Sequence, residues 1–589
     1  MGRTVSVFFV LIACGFTATT VFAQPPQQTT PPNVLLVITD DQGWGDVRSH
    51  GNDTIDTPVQ DRLASQGARF DRFYVSPVCA PTRASLLTGR YHLRTGTVWV
   101  THNLESMRAE EVTLAEGLKQ AGYVTGCFGK WHNGAHYPQD PKGQGFDEFF
   151  GFCAGNWNNY FDTHLIHNGK RVPTKGYITD VITDAALQFI EANKSRPFFC
   201  YVPYNAPHEP FQVPDRYFDK YKQRDLNDKD ATVYGMVENI DDNLGRLLHK
   251  LDELALTKNT IVLFMTDNGP NGQRYNGKMR GIKGTVYEGG VRVPLFIRWP
   301  GHITPGITVK PITAHIDLLP TIIELCGVPM PKTLPLDGMS LVPLLKQDVS
   351  SWPDRMLFTH QSHRGEVQLS FGAVRTQQHH LVCTRQHWEL YDMINDPGET
   401  KNIADQYPEI TKKLRQAYET WFKDVTATGT GPLPIPVGYA EAPEVELPAH
   451  ECSIEGTIHY TIEPGWCHDW LTGWKSVDDT VQWDIDVVQA GRYDVTLLYT
   501  CSPQNVGAKI RIAVNDQQIE GVIRQPHDPA PIPSPDRTPR RTVDEKEWGH
   551  LQLGQLNLDS GRAKLYVKAV TKPGKEVCDL KAIRLRRVD

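Results

Sequence analysis

Three short runs constrain this chain of 589 residues more than anything else in it: Asn33-Val-Leu-Leu-Val-Ile-Thr39, Phe198-Phe-Cys-Tyr-Val202 and Thr260-Ile-Val-Leu-Phe-Met-Thr266. Each is apolar almost without a break, as a strand must be when both its faces are covered, and such strands belong to parallel sheets packed between helices. Helical patterns fall between them, at 59–66 after the entry Asp56-Thr57-Pro58, and at 114–121, 177–192, 231–254 and 317–326. Strands alternating with helices predict an α/β fold, a largely parallel sheet flanked by helices, over 33–345.

The rest of the chain reads differently. From 346 to 425 the pattern shortens into a smaller antiparallel C-terminal subdomain closed by an amphipathic helix at 408–422. Residues 426–449 are rich in Gly and Pro with little period, the composition of a linker. Beyond 450, apolar and polar positions alternate at 481–487, 493–499, 509–514, 551–558, 563–569 and 580–585, which predicts an appended all-β sandwich. Trp466, Trp470 and Trp474 stand four apart there. They could stack on sugar rings, although aromatics in such a pattern more often fill a core.

Length agrees with several units, since about 150 residues per domain gives two to four. A net charge of -7 leaves no basic footprint for nucleic acid. The N-terminus, with Arg3, an apolar run from Val5 to Cys14 and small residues up to Ala23, has the layout of a secretory signal peptide, so 1–23 would be removed and the product secreted or periplasmic. Leu11-Ile-Ala-Cys14 offers lipoprotein anchoring as an alternative, very early in the apolar run. The run is well short of the ~20 residues that span a bilayer, and no later segment qualifies as transmembrane. Residues 24–32, a Pro, Gln and Thr tract, read as a disordered leader. The remaining cysteines are scattered and include no CxxC pair; Cys452 with Cys467, or Cys501 with Cys578, are candidate disulfides whose connectivity the sequence leaves open.

Candidate chemistry gathers after the strands. Asp40 and Asp41 follow the first apolar run and Asp267 and Asn268 follow the last, where open α/β sheets place their ligand sites. Three carboxylates and an amide oxygen suit a hard cation, Ca²⁺ or else Mg²⁺, rather than Zn²⁺. The competing reading is that Asp-Asp and Asp-Asn-Gly only begin turns. His208, in Asn205-Ala-Pro-His208-Glu-Pro210, follows another strand and could protonate a leaving group, work that an imidazole suits.

The stretch Cys79-Ala-Pro-Thr-Arg83 with Leu87-Thr88-Gly89-Arg90 resembles the formylglycine signature of type I sulfatases, members of the alkaline phosphatase superfamily. Gly129-Lys130-Trp131-His132 looks like a second element of that family, which commonly continues Leu-Gly where this chain has Asn133-Gly134. Arg280-Gly-Ile-Lys283 through Pro294 resembles a third, and Leu390-Tyr-Asp392 with Asp396-Pro-Gly-Glu399 resembles the family's C-terminal subdomain. The likeness spans about 33–425 and departs at Thr82, where Ser is commonest. It implies a sulfate monoester hydrolase of arylsulfatase type, in which a maturase (formylglycine-generating) enzyme oxidises Cys79 to an aldehyde whose hydrate is the nucleophile. It also implies that Asp40, Asp41, Asp267 and Asn268, with position 79, hold the divalent ion. Arg83, one turn from Cys79, would hold the modified side chain. Lys130 and Lys283 would bind sulfate, His132 would take a proton from the diol as sulfate is expelled, and His208 would protonate the departing oxygen. The substrate would be a sulfated small molecule or glycan. Two rivals share these residues: a phosphonate or phosphate monoester hydrolase, and a secreted glycan-binding protein in which Cys79 is never converted. The strand Tyr493-Asp-Val-Thr-Leu-Leu-Tyr499 looks loosely like those of jelly-roll carbohydrate-binding modules.

Overall fold

The computed structural model describes residues 1–7, 31–385 and 387–589. Most of the predicted signal peptide, its Cys14 alternative and most of the leader lie outside the described residues. Strand Asn33–Thr39 lies inside a ten-stranded sheet, paired in parallel with Phe198–Pro203 on one side and Thr260–Thr266 on the other. The three apolar runs are thus immediate neighbours. Val124–Lys130 extends the parallel set beyond Phe198–Pro203, and Glu148–Phe152 follows it. Antiparallel pairing appears toward the edges, through Leu295–Arg298 on one side and the hairpin His164–His167 with Lys170–Pro173 on the other.

Successive side chains of a strand point to opposite faces, so each face needs its own cover. Leu35 and Val37 join one buried cluster with residues of helices Ile178–Ala192 and Asp228–Glu253. Val34, Leu36 and Ile38 join the other, with residues of Cys79–Thr88, Leu114–Gln120 and Leu318–Leu325. Because the central strands run the same way, their carboxyl ends open on one edge of the sheet. Asp40 follows one of those ends, Lys130 terminates a second, Asn205 lies just past a third and Asp267 follows a fourth.

A separate four-stranded antiparallel sheet runs in order Leu357–His360, Gly372–Arg375, His379–Thr384, His387–Asp392. Helix Pro408–Val425 covers it with Leu414, Tyr418, Trp421 and Val425. Two further sheets form a sandwich around a third core, which includes Trp474, Trp483, Val495, Leu565 and Ile583. The residues predicted as linker are only partly irregular. Ile435–Val437 pairs with Thr480–Val487 in one sheet, and Glu444–Pro448 pairs with Asp579–Arg587 in the other. Pro436 and Pro448 hid these strands in the sequence, since proline is tolerated at the border of a sheet but reads as a breaker. Two of the three tryptophans are taken up by packing: Trp474 is 1% exposed within the core, and Trp470 is buried and packs edge-on against Trp548, while Trp466 is half-buried. Cys452, Cys467, Cys501 and Cys578 are thiols, so neither suggested disulfide is formed. Among the described residues no helix is long and apolar enough to cross a membrane.

Leu36 has no exposure and sits between two parallel neighbours. Leu36→Ala should cost about 2–5 kcal/mol, seen as a lower urea midpoint for the unfolding of the α/β part with the sandwich transition unmoved.

Candidate active site

Helix Cys79–Thr88 carries the first candidate, and all ten of its residues are buried. It begins after extended Val78, tolerates Pro81 because first-turn N–H groups have no partner within the helix, and ends at Gly89, whose positive φ of 68° suits glycine. Thr82 fixes its entry: the hydroxyl accepts the Ser76 N–H at 3.0 Å and donates to the Ser76 carbonyl at 3.1 Å. The departure from Ser to Thr therefore keeps the working group. Asn133, the other departure, is fully buried and donates from Nδ2 to the Ala80 carbonyl at 3.0 Å, so it too holds the start of this helix. Cys79 is 2% exposed and burial pushes its thiol up, which makes the unmodified side chain a poor nucleophile.

Around Cys79 the structure brings together residues separated by more than two hundred positions. Ligand atoms of Asp40, Cys79 and Asp267 all lie within 4.8 Å of one another, and so do those of Asp40, Asp41 and His208. The Asp41 N–H donates to Asp267 Oδ1 at 3.2 Å, and Asn268 Nδ2 donates to Asp41 Oδ1 at 2.8 Å. Each carboxylate has a cation. Lys130 Nζ is 2.6 Å from Asp40, Lys283 Nζ is 2.6 Å from Asp41, and Arg83 Nη2 is 2.7 Å from Asp267. Burial raises the Asp41 carboxyl, but Lys283 and His208 outweigh it and hold the group below the usual carboxylate range. Asp267 behaves oppositely: burial and the Asp40 charge push it up to about 7 despite Arg83.

The two histidines are oriented by their other ring nitrogen. His132 Nε2 lies 3.0 Å from the Val100 carbonyl, which can only accept, so Nε2 carries the proton and Nδ1 the lone pair. That Nδ1 is buried without a partner. Burial and Lys130 drive the His132 imidazole well below its usual range, keeping it neutral. His208 Nδ1 sits 2.7 Å from the Glu209 carbonyl, which leaves Nε2 facing Asp41 at 3.7 Å. Burial and Lys283 push His208 down to about 4.

All ten predicted site residues are therefore neighbours, with one altered reading: Arg83 reaches Asp267 and the Lys130 carbonyl, at 3.0 Å from Nη1, rather than serving position 79 alone. Sequence reasoning gave no role to Asn133 or to Asn205, which is fully buried and accepts the His208 N–H at 3.1 Å. Their adjacency to Lys130 and to the end of a parallel strand was the available signal. The loop after Phe152 lies against the site. A Cβ on Gly155 would stand 2.7 Å from His132 Nε2, and Tyr160 donates to the His208 carbonyl at 2.9 Å.

The donor set fits a hard divalent ion. Asp40 Oδ1 and Asn268 Oδ1 are buried oxygens without hydrogen-bond partners, the kind of ligand atom such an ion takes. Removing Arg83 should be severe on its own. Arg83→Ala leaves the buried Asp267 carboxylate unmatched and should cost about 3–5 kcal/mol, measured as a fall in thermal midpoint in the presence of chelator.

Comparison with known proteins agrees with this geometry. A Sulfatase family model matches residues 32–328, and a model for the N-sulphoglucosamine sulphohydrolase C-terminal region matches 282–424. Human arylsulfatase A is 32% identical over 509 residues, covering 74% of this chain and 95% of that protein. Mouse N-acetylgalactosamine-6-sulfatase is 33% identical over 450 residues, covering 69% and 82% respectively. Among solved structures, Ps i-CgsB in complex with k-i-k-neocarrahexaose superposes with a TM-score of 0.63 at 30% identity, covering 67% of this chain and 93% of that one. Relatives that share the fold and the chemistry over this much of the chain place it in the sulfatase family of the alkaline phosphatase superfamily, as a hydrolase of sulfate monoesters.

Proposed function

We propose that this sulfatase is exported, is matured at Cys79 to formylglycine by a maturase enzyme, uses Ca²⁺, and removes sulfate from a carbohydrate. The observation that carries the reading is a charge count. Asp40, Asp41 and Asp267 face Lys130, Lys283 and Arg83, so the buried site is balanced before any ion enters. A divalent ion then leaves it with an excess of two positive charges, a setting that favours a bound sulfate ester and the charge that develops as it breaks. Asp40, Asp41, Asp267 and Asn268 would hold that ion, and all-oxygen ligands favour Ca²⁺, with Mg²⁺ the alternative. When bound, the ion supplies Lewis-acid charge at sulfate oxygens, and formylglycine supplies as its hydrate the nucleophilic oxygen.

The chain's own groups do the rest. Lys130 and Lys283 bind sulfate oxygens, and Arg83 acts by orienting Asp267. His132 accepts a proton at Nδ1, the one ring position its hydrogen bond to Val100 leaves open. His208 donates from Nε2 to the departing oxygen; an anion bound between it and Lys283 offsets the charge that holds its imidazole deprotonated. A carbohydrate substrate is supported by the name of the N-acetylgalactosamine-6-sulfatase relative and by the neocarrahexaose bound to the solved one. Export is supported by the N-terminal sequence pattern.

Mass spectrometry of tryptic peptide 73–83 from the native host should show H₂S exchanged for O at position 79. An unmodified thiol there would refute the maturation reading. In converted enzyme, kcat/KM for an aryl sulfate should exceed that for the matching aryl phosphonate, and the reverse order would favour the phosphonate rival. His132→Ala should lower kcat about 10²- to 10⁴-fold with calcium content unchanged.

A further inference from the structure

A second group of metal-ligating side chains lies where the sandwich meets the α/β part. Glu105 comes from the loop whose Val100 holds His132, while His450 and Glu451 form part of the turn Ala449–Glu451 at the start of the sandwich. One ligand atom from each of the three lies within 4.8 Å of the other two. His136 stands behind them, its Nε2 2.8 Å from Glu451 Oε2. Glu105 is only 7% exposed and its Oε2 is buried without a partner; His450 Nδ1 is buried and unpartnered as well.

Among the described residues no Lys or Arg pairs with Glu105 or Glu451. Glu451 has the imidazoles of His136 and His450 as its ion-pair partners, and Glu105 has none. The other buried Glu-His-Glu group of the molecule is the contrast. Glu288, with His380 and Glu399 beside it, has Arg375 at 2.6 Å and Arg292 at 3.4 Å, so its charge is already met. Two buried carboxylates facing one another without a lysine or arginine are costly unless a cation joins them. Imidazole nitrogen beside carboxylate oxygen is a donor set for zinc rather than for calcium, and ligating carboxylates in such sites are themselves hydrogen-bonded, as Glu451 is to His136.

We propose that Glu105, His450 and Glu451 form a second metal site, for a zinc-type divalent ion, that fastens the sandwich to the loop supporting His132. The site is separate from the catalytic oxygens and does not depend on how they work. Chelator-stripped full-length protein equilibrated with ZnCl₂, then desalted, should retain about one zinc per chain by elemental analysis and unfold at a higher temperature. Crystals of that protein should show an anomalous peak between these three side chains that appears only above the zinc absorption edge. Glu105→Gln, an amide of the same shape, treated in the same way, should lose the zinc and the thermal shift. No retained zinc, a peak elsewhere, or undiminished zinc in Glu105→Gln would overturn the proposal. So would a Glu105→Gln protein more stable than metal-free wild type whose parent binds no zinc, since that marks Glu105 as a protonated carboxyl.

Discussion

Three carboxylates and three cations gathered in one pocket, all buried but the part-exposed Lys283, are the constraint on which the rest of this structure depends. Such charge is tolerable in an interior only when every group has a partner at short range, because removing either member strands the other. Asp40, Asp41 and Asp267 have no more than 1% exposure, and neither do Arg83 and Lys130. The pairs must therefore form as a set, and the set requires strand ends from distant parts of the chain to finish at the same level. Parallel pairing of Thr39 with Thr266 and Val37 with Val202 provides that level.

Local backbone geometry then aims the groups. Asp41 and His132 both adopt positive φ, 67° and 63°, a conformation that costs a side-chain-bearing residue roughly 1–3 kcal/mol and persists only where the surroundings enforce it. Here they do. The N–H of Asp41 is taken by Asp267, and that of His132 by the Cys153 carbonyl at 3.2 Å. The absence of a side chain at Gly155 lets the following loop close over the His132 ring.

The sandwich contributes to the same support. Cys467 donates to the Asn156 side chain, His468 donates from Nε2 to the Asn156 carbonyl at 2.9 Å, and Arg540 donates to the Asn158 carbonyl at 2.8 Å. Gln212, which accepts the Tyr160 N–H, donates in turn to Ser534 and Asp536. Residues 156–160 are thus clamped between the sandwich and the two histidines. The appended sheets therefore help to hold the loop that packs against the two histidines.

Much of this was written in local pattern. Continuous apolar runs identified three central buried strands but not Val124–Lys130, alternation identified six sandwich strands but not Gln517–Val522, and short motifs named the reactive side chains, because strand burial and motif chemistry both depend on residues close together in sequence. Pairings between distant residues were not legible. That Arg83 serves Asp267, that His132 keeps its lone pair on Nδ1, that Trp474 fills a core, and that Glu105 faces Glu451 across two folded units all follow from which surfaces meet. A sequence lists charges and donors, but burial and distance decide their partners and their protonation, and those two quantities exist only once the sheets have packed.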